Sequence, residues 1–161
     1  MVFKKSYSQS EATQKLERYC AYQERCHKEV IQKLQDMRVP PETLDRIVVH
    51  LIKANFLNEE RFSQNFARGK FNIKNWGRHR IIAELRQRGI SKYNIQTALQ
   101  EINEETYQKK FHALAEKKWD ILKEKDIQKR KRKVADYLIY RGWESEQVYD
   151  KINELAKNSG S

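Results

Sequence analysis

One spacing pattern occurs three times in this chain, and it constrains the fold more than any other feature. Val30-Ile31-x-x-Leu34, followed by Val39 and Leu44, recurs as Ile81-Ile82-x-x-Leu85, followed by Ile90 and Ile95, with every position displaced by 51 residues. A third copy, Val134-Ala135-x-x-Leu138 with Trp143 and Val148, lies 53 residues further on. Gly89 and Gly142 fall in register, each just after a helix and just before an apolar residue, and Arg38 holds that place in the first copy. Helical proteins share apolar spacing by chance, but gapless agreement at so many positions points to copies of one supersecondary unit. The stretch leading into each pair repeats as well. Asn58-Glu59-Glu60-x-Phe62-x-x-x-Phe66 matches Asn103-Glu104-Glu105-x-Tyr107-x-x-x-Phe111, and residues 10–23 follow the same broad pattern.

Each copy therefore reads as three helices. A polar tail over 1–9 is expected to be loose, followed by triplets at 10–56, 57–102 and 103–158. In the first, Ala12, Leu16, Tyr19 and Cys20 share a face, then Val30, Ile31 and Leu34, then Leu44, Ile47, Val48, Leu51 and Ile52. Pro41 suits the first turn of the third helix. Asn58 can cap the fourth, with Glu59 and Glu60 at the positive end of its dipole. Gly77 reopens a helix after Asn75-Trp76, and Gly89 stops it. A longer stretch, roughly 115–127, separates the last leading helix from its partner. Five Gly and two Pro leave little turn chemistry for a β-sandwich. The fold class is all-α, an elongated tandem array of three three-helix repeats, in which each unit touches its neighbours and extended surface is the product.

The chain carries a formal +11, and its pI of about 9.6 implies an acidic partner. The charge is concentrated. Residues 68–92 hold eight Lys or Arg against Glu84 alone, and 117–133 hold nine against Asp120, Glu124 and Asp126. A solvated helix face usually mixes signs, whereas Lys129-Arg130-Lys131-Arg132-Lys133 is unbroken. On a helical wheel from Gly77, Arg80 and Arg86 lie opposite the stripe of Ile81, Ile82 and Leu85, while Arg88 lies near that stripe and lays its stem over the core. Trp76, Trp119 and Trp143 could stack on bases, but their helical positions favour packing. Trp143 takes the register of Val39 and Ile90 and so belongs to the core; Trp76, beside the basic loop, is the one placed for partner contact.

Other chemistry is missing from the sequence. The four histidines, His27, His50, His79 and His112, are scattered, with no HExxH or CxxC companion, and no GxxxxGK[ST], GxGxxG or GxSxG occurs. Glu59-Glu60 and Glu104-Glu105 are explained by helix dipoles. Neither an enzyme nor a metal or cofactor site is expected. Cys20 and Cys26 read as small buried residues, not a disulfide, in a reducing compartment. No apolar run approaches a membrane span and no signal-peptide core is present, so a cytosolic protein is expected. A membrane-surface role is disfavoured because no helix pairs a wide exposed apolar face with its basic side.

Two stretches carry a resemblance. Phe56-Leu57-Asn58-Glu59-Glu60-Arg61-Phe62 with Gly77-x-x-Arg80-Ile81-x-x-Glu84-Leu85-x-x-x-Gly89-Ile90 resembles the central signature of the RecX family, bacterial regulators of the RecA recombinase. Lys133-Val134-x-x-Tyr137-Leu138-x-x-Arg141-Gly142, continuing to Val148, resembles its C-terminal pattern. The family often has Asp-Asp or Asp-Glu after Tyr-Leu; here Asn58-Glu59 follows Phe56-Leu57, which keeps a capping residue. The resemblance implies a non-enzymatic, cytoplasmic regulator that binds the RecA–DNA filament and inhibits it in recombination, DNA repair and the SOS response. The expected contacts to RecA or DNA are Lys70, Lys74, Arg78, Arg80 and Arg86, with Lys129, Arg130, Lys131 and Arg132. The chain is expected to act as a monomer and to contact DNA weakly or through the filament. The alternative is a general helical nucleic-acid-binding protein that acts on DNA without RecA.

Overall fold

A computed structural model of the chain describes residues 6–160 and, among them, nine α-helices and no strand. The leading, middle and last helices of the first triplet are α1 (Gln9–Tyr22), α2 (His27–Asp36) and α3 (Pro41–Lys53). The second triplet is α4 (Glu59–Asn72), α5 (Arg78–Gln87) and α6 (Lys92–Leu99). The third is α7 (Glu104–Ile121), α8 (Ile127–Tyr140) and α9 (Ser145–Ser159). Of the loose tail expected over 1–9, residues 1–5 lie outside the described residues. Tyr7 packs on the first core and Ser8 caps α1 in a box with Glu11. The long stretch after the third leading helix is mostly helix, since α7 runs on to Ile121.

Local chemistry explains where the helices begin. Ser8, Asn58, Ser91, Asn103 and Asp126 each accept a hydrogen bond from the main-chain N–H three residues on, and Pro41 opens α3. The turn between middle and last helix is the same in all three triplets. Arg38, Gly89 and Gly142 take the left-handed conformation, at φ of 60°, 75° and 94°. The next residue folds back: Val39 donates to the Leu34 carbonyl, Ile90 to Leu85 and Trp143 to Leu138, each at 3.1 Å. That fold-back drops Val39, Ile90 and Trp143 into the interior, as the repeated spacing requires. One predicted core residue is misplaced. Ile52 is 44% exposed, because the buried stripe of α3 is Leu44, Ile47 and Leu51, and Ile52 lies about 100° round the helix from Leu51.

Helices pack chiefly within their own triplet, yet three triplets make two cores. The first core holds α1–α3 and Leu57; the second runs without a break through α4–α9 and takes in Cys26. The chain exposes 10521 Å², against about 8,500 Å² for a compact monomer of its mass, so the array is elongated.

Candidate polyanion-binding face

The joint between the second and third triplets positions the central cations. Gly77 and Gly142 meet so closely that a Cβ on Gly77 would lie 2.5 Å from the Gly142 carbonyl oxygen. The first-turn amides of α5 are satisfied by the third triplet. Gly77 N–H donates to Arg141 O (2.8 Å), His79 N–H to Gly142 O (2.9 Å) and Arg78 N–H to Tyr107 Oη (3.0 Å). Trp143 Nε1 donates to Asn75 O at 3.1 Å. Tyr107 Oη donates to the Glu144 carboxylate, and burial together with that bond pushes the phenol well above its ordinary pKa.

Arg78 belongs to this joint. Its guanidinium lies 3.7 Å from the Tyr107 ring centre and pairs with Glu104 and Glu144. Bonds from Gln108 and Arg78 hold the Glu104 carboxyl below the usual range. Arg78, one of the expected contacts, is thus engaged within the joint. Arg130 is engaged likewise within the third triplet. It stacks on the Trp119 ring (4.4 Å) and its Nε donates to Trp119 O at 3.1 Å, tying α8 to the end of α7.

Two of the other central cations, Lys70 and Arg80, are held by rings rather than acids. Lys70 Nζ lies 5.0 Å from the Trp76 ring and 5.4 Å from Phe66. Arg80 is clasped between Trp76 (4.2 Å) and Tyr140 (4.7 Å). Arg88 covers Phe66 (4.8 Å) and pairs with Glu84, as its place beside the stripe suggests. No carboxylate lies within ion-pair distance of Lys70 or Arg80 among the described residues. A ring face orients a cation and contributes about 0.5–1 kcal/mol at exposed sites. It leaves the positive charge without a counter-charge.

The remaining predicted contacts are scattered. Lys74 is exposed on the turn before α5; Arg86 is exposed beside a cleft it shares with His27 and Glu59. On α8, Lys129 and Arg132 are exposed and Lys131 is half-buried, while Lys133 pairs with Glu124 at 3.2 Å. Trp119 and Trp143 are core, and Trp76 is half-buried against Phe66. A cavity of about 620 Å³ lies elsewhere, on the first triplet among Tyr7, Lys15, Arg18, Tyr19, Arg25 and Lys33. Sequence reasoning missed Tyr140, Tyr107 and Glu144. The register of the second joint offered one signal, since Tyr107 and Glu144 flank Gly142 and Trp143 in space only if the Gly77 and Gly142 turns meet.

Fold and face together define a class: an all-α tandem-repeat binding protein with unneutralised cations on its surface. Residues 58–99 match the second three-helix domain of RecX and residues 105–152 the third. The chain belongs to the RecX family of regulatory proteins. The regulatory protein RecX of Prosthecochloris aestuarii is 29% identical over 142 residues, spanning 87% of this chain and 90% of that one. That of Finegoldia magna is 30% identical over 129 residues, 78% of this chain and 62% of its own. A crystal structure of a regulatory protein RecX matches with a TM-score of 0.80 at 25% identity, over 91% of this chain and 73% of that one. RecX from Lactobacillus salivarius shares the fold, with a TM-score of 0.77 over 92% and 96% of the two chains. Among the described residues no helix is long and apolar enough to cross a membrane.

Proposed function

We propose that this chain regulates RecA by lying along its filament on DNA, inhibiting it in recombination, DNA repair and the SOS response. The reading is supported by membership in a family of regulatory proteins, and one observation carries it to a site. Lys70 and Arg80 are oriented by aromatic faces with no acid to neutralise them, on an elongated array. The contacts are Lys70, Lys74, Arg80 and Arg86 with Lys129, Lys131 and Arg132. The units are 10–56, 57–102 and 103–158, and a single copy acts in the cytoplasm by occupying the filament, without chemistry of its own. Two runs of opposite-charge complementarity make the binding strongly salt-dependent.

Co-sedimentation with RecA filaments on single-stranded DNA across a salt series tests this, alongside RecA ATPase and strand exchange. Binding that weakens steeply with salt, with both activities lowered, is expected. Unchanged ATPase and strand exchange at saturating protein would sink the proposal. Tight binding to bare DNA that RecA does not enhance would select the alternative, a nucleic-acid-binding repeat protein acting alone.

A further inference from the structure

The two basic runs are separated by nearly half a triplet in sequence, but the second joint brings them to one line. Arg80, from the first run, rests on the ring of Tyr140 at the C-terminal end of α8. The second run opens that same helix. Successive residues advance by 100°, so Tyr140, Lys133 and Lys129 fall within about 40° of one another, on the face away from Val134 and Leu138. From Lys129 to Tyr140 the rise is about 16 Å. From Tyr140 a chain of ring contacts leads through Arg80 and Trp76 to Lys70.

We infer that Lys70, Trp76, Arg80, Tyr140, Lys133 and Lys129 form one track that holds the backbone of a single nucleic-acid strand. The inference rests on the reading above that these cations face a polyanion, and it names which one. A strand offers its charges one after another, and the track presents its cations in succession from α8 to Lys70. Tyr140 is 71% exposed, with Arg80 on its inner side, and its free surface is open to an unpaired base. Trp76 is already occupied by Phe66 at its edge and by Arg80 and Lys70, so it positions Arg80 and does not stack on a base itself. Three acids stand at the track: Glu124 pairs with Lys133, Asp126 accepts the main-chain N–H of Lys129 at 3.0 Å, and Asp136 shares the outer face of α8 between Lys133 and Tyr140. They leave Lys70, Arg80 and Lys129 as its unneutralised charges. A duplex buries its base faces and offers Tyr140 nothing to stack on, so the track prefers a single strand.

Binding of labelled oligothymidylate, followed by anisotropy over a salt series, tests the track on the full chain. Variants are Arg80→Gln, Lys129→Gln, the double variant and Tyr140→Leu, with Lys53→Gln on the first triplet as control. Unchanged thermal unfolding shows that each variant is folded. One strand per chain is expected. Each glutamine should reduce the log–log salt slope by about 0.7, additively in the double variant. Tyr140→Leu should weaken binding about ten-fold with the slope unchanged, the scale of one base–aromatic stack. The track is overturned if Arg80→Gln and Tyr140→Leu bind as the parent does, or if duplex binds as tightly as single strand. RecA assays separate the two readings. Parent protein that ignores oligothymidylate, but whose filament affinity falls in the Arg80 and Lys129 variants, places these cations against acidic protein and ends the track alone. Parent protein that grips oligothymidylate through these residues, yet leaves RecA ATPase and strand exchange untouched, keeps the track and ends the regulator.

Discussion

The two joints of this array use the same positions and hold together by different chemistry. His27 and Arg78 both stand one residue into a middle helix, and each faces the first residue of the next leading helix, Glu59 or Glu104. At the second joint Phe71, Tyr107, Phe111 and Trp143 form a continuous aromatic cluster, with Tyr107 and Trp143 ring centres 4.6 Å apart. Main-chain hydrogen bonds cross it. At the first joint Glu24 meets Arg61 and Asn65, His27 meets Glu59 at 3.4 Å, and Lys28 Nζ donates to Gln87 O at 3.0 Å. No hydrogen bond from main chain to main chain joins α1–α3 to α4–α6 among the described residues, and clefts of about 490 and 530 Å³ flank the contact. Among the described residues only Cys26 crosses from the first triplet into the neighbouring core. A copied unit carries its geometry along; whether two units fuse depends on what fills the seam.

The sharpest way to break that contrast is to empty the second seam. Trp143→Ala should lower stability by about 3–5 kcal/mol, the range for a buried aromatic, and uncouple the third triplet in urea unfolding. Glu24→Gln at the first joint should lower it by no more than about 1 kcal/mol, since its pairs are part-exposed. Equal losses would show that the joints are alike.

Glycine substitutions sharpen the point at matched positions. Gly142→Ala should lower stability by about 2–4 kcal/mol, combining a left-handed backbone with overpacking; its Cβ would lie 2.3 Å from Arg80 N. Gly89→Ala has the same backbone problem but open space around it, and about 1 kcal/mol is expected. Thermal unfolding of the pair gives the comparison directly.

The cysteines report on each region separately. Burial pushes both thiols up to about 11, from an ordinary value near 9. Since the folded-state value is the higher one, the stabilisation is complete below about pH 9 and is lost as pH rises towards 11. Melting temperature should fall across that window, less so in Cys26→Ala. At neutral pH a thiol reagent should modify Cys26 before Cys20, because opening the first joint uncovers Cys26 while Cys20 stays inside the first core. Simultaneous labelling would contradict the weak joint.

The smallest effect is a gain. Arg38→Gly relieves a side chain held at φ 60° and should stabilise the first triplet by about 0.5–1 kcal/mol, measured as a shift of its urea midpoint. No gain would mean that the turn is strained in none of the copies.

Much of this architecture was legible because repetition multiplies a weak signal. Any one apolar doublet with a following Leu is common. Three in register gave the helix triplets, the turns at Arg38, Gly89 and Gly142, and the burial of Trp143. The cap at Asn58 followed from local chemistry alone. The site was less legible. Charge runs in a sequence say how much positive charge exists, not which cations are already taken. Arg78 and Arg80 are two residues apart, yet one is enclosed by Glu104 and Glu144 and the other lies open between two rings. Their fates differ through partners 26 to 66 residues away, a separation that helical periodicity does not encode.

The borrowed carbonyls at the start of α5 bear on how the protein is made. A ribosome delivers this chain from its N-terminal end, and domains fold as they emerge. The first triplet has every side chain of its core once Leu57 has left the exit tunnel. The amides that open the second's middle helix meet their protein acceptors only when Arg141 and Gly142 arrive. The nascent protein should therefore mature in two events rather than three, one early and one held back until the third triplet has emerged.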